Sequence, residues 1–183
     1  MDEALVEAAA GGDRDAFAAL IEPRFALLYG FASLILIDRG SIDDAVQEAL
    51  IRAWRDLPQL RVRASFDAWL RRLVVNAAHD EDRRARRHGS VRAPIADDMR
   101  IEDSQGRLAL EDEVARAFRR LTANERAVIG LRFYLGLSTV ETAAILGTSP
   151  GAARVRLHRA IRSLASAHKT DGGPFPVQTE AQP

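Results

Sequence analysis

The chain has 183 residues, 47% of them hydrophobic, and its 26 basic side chains balance 26 acidic ones. That is room for one compact domain or two small ones, and too much apolar content for a disordered chain. The absence of cysteine excludes disulfides and thiolate metal sites, and the longest apolar run, Ala26 to Ile37, is too short to cross a bilayer.

With no charged-then-apolar leader at its start, the sequence is expected to be cytoplasmic, without membrane insertion. The zero net charge is a sum of unequal parts. Met1 to Glu48 holds ten acids and three arginines, Arg71 to Arg92 seven arginines against three acids, and Ala93 to Glu113 seven acids against two arginines. From Pro150 to Lys169 there is no acid at all. A protein that binds DNA unaided is more often basic overall, because phosphate neutralisation supplies most non-specific affinity. Basic patches among acidic surfaces point instead to DNA contact made jointly with a larger partner.

Residues 2 to about 88 read as nearly continuous helix, with no alternating strand pattern. The first segment breaks at Gly11-Gly12, where Asp13 can cap the next helix, and Arg39-Gly40 ends it. Ser41 begins a second segment, SIDDAVQEALIRAWRDL, in which Ile42, Ala45, Val46, Ala49, Leu50, Ala53, Trp54 and Leu57 form an apolar stripe closed by Pro58. The connector PQLRVRASFD leads into a helix from about Asp67 through Arg87, with Trp69, Leu70, Leu73, Val74 and Ala77 on its core side.

Gly89 to about Arg107 is polar, acidic and without an apolar stripe, and reads as a linker. Helices are expected at about Leu108 to Leu121 and Ala123 to Leu135, the second opened by a Thr122/Glu125 capping box. LSTVETAAILG is a shorter helix with Ser138 and Glu141 as another capping box and Gly147 free to take a positive φ. SPGAARVRLHRAIRSL comes next, with Ser149 as N-cap and Pro150 at the first helical position. Ala153, Leu157, Ala160, Ile161 and Leu164 share one face, and Arg154, Val155, His158, Arg159 and Arg162 collect on the other. Two capped helices joined by a Gly turn make a helix-turn-helix, whose second helix enters the DNA major groove. A solvated basic face on a bundle helix is the alternative. From Thr170 onward the tail is polar and rich in proline and glycine, and is expected to be disordered.

The fold class is therefore all-α, with two small helical domains joined by a flexible acidic linker: residues 1–88, a linker at 89–107, a helix-turn-helix domain at 108–169 and a tail at 170–183.

Three stretches together resemble the extracytoplasmic-function, or group 4, sigma factors of bacterial RNA polymerase, within the sigma-70 family. DDAVQEALIRAW is similar to the region 2 helix, SFDAWLRRLVVNAAHDEDRRARR to the promoter-melting segment, and LRFYLGLSTVETAAILGTSPGAARVRLHRAIRSL to region 4. The likeness covers about residues 3 to 167, with both halves in the right order. It implies partners: core RNA polymerase, gripped at its beta-prime clamp and beta flap, promoter DNA, and an anti-sigma factor. It implies no cofactor and no metal.

Placed on this sequence, the resemblance assigns Asp44, Gln47, Glu48, Arg52 and Arg55 to polymerase binding. Ala45 departs from the leucine usual there. Leu60, Arg61, Arg63, Ser65 and Phe66 match the loop that captures a flipped base of the minus 10 element, Asn76 the asparagine that helps read it, and Arg72, Arg83 and Arg84, with Arg71, Arg86 and Arg87, the phosphate contacts. Capture makes physical sense, since a pocket that holds an extruded base recovers part of the unstacking cost. RVRAS in this loop is more basic than in many relatives. Arg154, Val155, Arg156, His158, Arg159 and Arg162 fall on the side that meets the minus 35 element, Arg156 at a phosphate or in an intramolecular pair.

The expected function is a sigma factor that directs promoter-specific initiation and nucleates strand opening, with no covalent chemistry of its own. The rivals are a free-standing helix-turn-helix regulator, for which no dimerisation heptad or ligand segment is evident, and a sigma mimic that titrates an anti-sigma factor. The sequence has no GxxxxGK loop and no HExxH, and His79, Asp80 and Glu81 read as a polar surface run rather than a catalytic or metal cluster.

Overall fold

The structure, a computed structural model, describes residues 3–87 and 114–171, with side chains described through residue 166. The expected linker, part of the helix expected at Leu108 to Leu121, and nearly all of the tail lie outside the described residues. Among the described residues every regular element is helical.

Helix α1 (Glu3–Ala10) ends at Gly11-Gly12, where Gly12 takes φ 97° and turns the chain. Helix α2 (Arg14–Ile35) is capped as its sequence indicates, with the Asp13 carboxylate accepting from the amides of Asp15 at 2.9 Å and Ala16 at 3.0 Å. Helix α3 (Arg39–Asp56) starts two residues earlier than expected. Arg39-Gly40 is its first turn rather than a break, because Asp38 supplies the cap by accepting from Ser41 N at 2.9 Å. Two short 3-10 turns, Leu57–Gln59 and Arg63–Ser65, form the connector to α4 (Phe66–Arg87).

In the second half, residues 114–119 are helical and are labelled α5. Helix α6 (Ala123–Ile129) opens with the Thr122/Glu125 capping box and widens into a π turn at Gly130–Tyr134, closed by Leu135 N donating to Gly130 O at 3.0 Å. Helices α7 (Thr139–Ile145) and α8 (Pro150–Asp171) complete the chain.

Alanines let α3 and α4 approach closely: Ala45, Ala49, Ala53 and Ala78 are all fully buried at their contact. Ala45 is thus a packing residue of the α3 seam. Around it Phe31, Ile35, Ile42, Leu57, Phe66, Leu70 and Val74 are buried, each side chain contributing roughly 1.5–3 kcal/mol over exposure. Phe17 meets the edge of Trp54 with ring centroids 5.2 Å apart.

The two halves do not stand apart. Ala123, Ala127, Leu131, Leu137 and Ile145 belong to the same buried cluster as the α2 and α4 core, with α2 against α6 and the π turn, and α4 against α6 and α7. The sequence led us to expect two domains on a linker; the domains are present, and they are docked on each other. Helix α2 is long and apolar enough to cross a membrane by length and composition, since it extends well upstream of the Ala26 to Ile37 run. Leu20, Leu28, Phe31 and Ile35 show it instead to be the central core helix.

Candidate nucleic-acid and polymerase interfaces

The helix-turn-helix is built from local bonds. The Ser138 hydroxyl accepts from Glu141 N at 3.2 Å, while the Glu141 carboxylate accepts from Ser138 N at 2.8 Å and from its hydroxyl at 2.7 Å. Those bonds hold the Glu141 carboxyl below its usual range, with Arg71 adding to the effect. Gly147 makes the turn at φ 62°, and Thr148 N donates to Ala143 O at 2.9 Å. Ser149 caps α8 by accepting from Ala152 N at 3.2 Å.

Helix α8 then packs through Ala153 and Ala160, both buried, and is tied to α6 by Ser163 donating to Glu125 at 2.6 Å. Burial pushes the Glu125 carboxyl up, but its bonds from Ser163 and Thr122 outweigh this and leave it below the usual range. Arg154, Val155, Arg156, His158, Arg159 and Arg162 are all exposed along one side. Ile161, expected in the core, is 43% exposed, because it lies at the margin of the apolar stripe next to that side.

The connector presents a different picture from its sequence. Phe66 is fully buried beneath the Arg24 guanidinium, which stands 5.5 Å from its ring centre while bonding Asp67 at 2.6 Å. It is therefore an anchor of the loop and is out of reach of a nucleic acid, a correction to its expected place among the DNA contacts. Leu60 is half-buried on the core. Arg63 is tied down too: its guanidinium donates to the carbonyls of Leu57 and Leu60 and to Glu7 at 2.8 Å. Ser65 donates back to Val62 O at 2.6 Å. What the loop displays is Arg61 and Val62, the latter 62% exposed and missed in the sequence, where an isolated valine among arginines carries no signal.

Along α4, Arg72 and Asn76 are exposed one turn apart. Further on, Arg83 pairs with Asp80, Arg84 with Glu81, and Arg86 with Asp82 at 2.9 Å. With Arg52, Asp80 and Arg87 these arginines line an open cleft of about 570 Å³ between α3 and the end of α4. Arg52 bridges the helices, bonding Glu48 at 2.7 Å and Asp80 at 3.2 Å. On the outer face of α3, Asp44, Gln47 and Arg55 are exposed and Glu48 and Arg52 half-buried, with Arg55 bonding Asp56 at 2.7 Å and 2.9 Å. Ile51, 51% exposed in the row between Gln47 and Arg55, gives that face an apolar centre.

His79 is not a surface residue. It is half-buried, turned toward the Ala123 backbone of the second domain, with Nε2 buried and without a hydrogen-bond partner among the described residues. Burial lowers its pKa; Asp82 and Asp80 pull it up and Arg83 pushes it down. No group of His, Cys, Asp and Glu among the described residues is placed to hold a metal ion.

A capped helix-turn-helix with a basic outward face, docked on a helical domain carrying a second arginine-rich face, places the chain in the broad class of helical helix-turn-helix proteins. Residues 20–88 match the family model for Sigma-70 region 2, and residues 111–164 that for Sigma-70, region 4. The ECF RNA polymerase sigma factor SigM of Mycobacterium tuberculosis is 34% identical over 164 residues, which span 90% of this chain and 83% of that protein. The solved structure of CnrH in complex with the cytosolic domain of CnrY is similar at TM-score 0.69 and 30% identity, covering 93% of this chain and 99% of that one. The sigma factor RpoE in complex with the anti-sigma factor NepR from Bartonella quintana shares the fold, at TM-score 0.66 and 23% identity, over 85% of this chain and 99% of that one. The chain belongs to the extracytoplasmic-function sigma factors of the sigma-70 family, and it acts as an RNA polymerase sigma factor in promoter-specific transcription initiation.

Proposed function

We propose that the outer face of α3, Asp44, Gln47, Glu48, Arg52 and Arg55 around Ile51, binds the beta-prime clamp of core polymerase, while the second domain meets the beta flap. Asn76, Arg61, Val62 and Arg72 read and hold the minus 10 element, with Arg83 and Arg84 at phosphates farther along α4. Leu60, Arg63, Ser65 and Phe66 shape the loop rather than touch DNA. Arg154, Val155, His158 and Arg159 read the minus 35 element, Arg162 binds it beside them, and Arg156 sits at a phosphate or in an intramolecular pair. The single observation that carries this reading is that all six α8 side chains are exposed on one helix fixed by its cap and turn.

The division into 1–88, 89–107, 108–169 and 170–183 is part of the proposal. So are a cytoplasmic location without membrane insertion, the lack of covalent chemistry, and regulation by an anti-sigma factor. CnrH, at 30% identity, was solved with the cytosolic domain of CnrY as partner.

Purified chain, sigma-free core polymerase and a randomised promoter library test the assignment. Polymerase-dependent enrichment of two motifs at a fixed spacing is expected. Arg154→Ala should then lose ~1–3 kcal/mol of discrimination, about 5- to 150-fold, at one position of the upstream motif. Asn76→Ala should relax the downstream motif alone. Enrichment of one motif without polymerase would mean a free-standing regulator.

A further inference from the structure

The connector between α3 and α4 is held by helices that precede it in the chain. At its downstream end the Arg24 guanidinium of α2 bonds Asp67 at 2.6 Å and the Leu20 carbonyl at 2.7 Å while standing over Phe66. At its centre Arg63 is the bracket. Its Nη1 donates to the carbonyls of Leu57, at 3.1 Å, and Leu60, the residues that begin and follow the first 3-10 turn. Its Nε donates to Glu7 of α1 at 2.8 Å. A guanidinium is a planar, rigid fork, so fixing Nε fixes the direction in which Nη1 points. Glu7 therefore orients the donor that ties the second 3-10 turn to the first.

Between these ties a short tip is left outward. Val62 O accepts from Ser65 N at 3.0 Å and from the Ser65 hydroxyl at 2.6 Å, so the backbone at the tip is closed by a turn. Arg61 and Val62 are exposed there, and they are the loop side chains assigned above to the minus 10 element. A site carried on a loop keeps its geometry only when neighbouring groups lock the loop. Here the neighbour is α1, which packs against both 3-10 turns and is seated on the core by Val6 and Ala9, both buried. Helix α1 lies ahead of residue 20, where the match to Sigma-70 region 2 begins.

We propose that Glu7 is a positioning residue for the minus 10 element: through Arg63 it makes α1 the support of the Arg61–Val62 tip, so that the first helix sets how selectively that element is held. The inference rests on the reading that assigns the tip to minus 10. Glu7 acts through Arg63 and touches no DNA in this role. Its side chain is 71% exposed, so the ion pair adds little to global stability, and its loss is felt in the loop. A tip that must be ordered again on binding discriminates less well than one already in place.

The test uses the full chain with core polymerase, and takes the ratio of run-off transcription from a selected promoter to that from the same promoter with one base changed in the downstream motif. Glu7→Gln should lower this ratio by about two- to fivefold, the range of an exposed ion pair. The corresponding ratio for the upstream motif, the affinity for core polymerase and the urea midpoint should keep the parent's values. Arg63→Lys, which replaces the planar fork by a point charge, should lower the downstream ratio at least as far. Adding Glu7→Gln to it should then lower the ratio no further. Glu3→Gln removes an acid of the same helix to which Arg63 is not bonded, and should leave the ratio unchanged. The parent's ratio in Glu7→Gln, an equal fall in Glu3→Gln, an equal fall at the upstream motif, or full additivity with Arg63→Lys would each overturn the positioning role. Arg61→Ala separates this from the underlying reading. If Arg61→Ala also keeps the parent's ratio, the tip is not at minus 10 and the role of Glu7 falls with that reading; if it lowers the ratio and Glu7→Gln does not, the role of Glu7 alone fails.

Discussion

Single residues in this chain divide into those that display chemistry and those that hold it in place, and the two kinds look alike in the sequence. Phe66 and Arg63 lie in the stretch that resembles a base-capturing loop, yet one is buried and the other spends its donors on backbone carbonyls. Phe66→Ala should cost about 3–5 kcal/mol, read as a lower urea midpoint, because it empties the site beneath Arg24. Arg61→Ala should leave that midpoint unchanged, since its side chain is exposed. His79 gives a pH dependence. Burial keeps its folded pKa below the ordinary value, against Asp82 and Asp80, so the unfolded chain takes up the proton first. Stability is full above the ordinary histidine pKa and declines as pH falls through the window below it. Urea unfolding should show a midpoint that drops from pH 7.5 to pH 5.5, and His79→Gln should flatten that slope; an equal slope in the variant would refute the assignment. The histidine could not be recognised beforehand, because its burial comes from a domain more than forty residues away in the chain.

Elements were far more legible than side-chain roles. Caps and turns are local chemistry, so Asp13, Thr122 with Glu125, Ser138 with Glu141, Gly147 and Ser149 all act where their spacing places them. Where two caps compete, the sequence misleads: Asp38 starts α3 ahead of Ser41 and turns Arg39-Gly40 into helix. The π turn at Gly130–Tyr134 was also invisible, since nothing in a helical pattern marks one widened turn. Thr122→Ala should cost about 1 kcal/mol and lower the thermal midpoint of the second domain, while Thr122→Ser should restore it.

For the molecule as a whole, the order of its two arginine-rich helices was readable and the docking of their domains was not. Apolar stripes on α2, α6 and the π turn announce burial without saying against what, and the partner turns out to be the other domain. The sigma reading requires a single chain to span two promoter elements at once with polymerase as the frame. Permanganate reactivity of thymines in the downstream motif reports strand opening directly, measured with core polymerase on a selected promoter and on the same promoter lengthened by about 5 base pairs, roughly half a helical turn, between the motifs. Opening on the parent promoter, lost on the lengthened one and absent without polymerase, is the predicted result. Equal opening on both promoters, or opening by the chain alone, would contradict it.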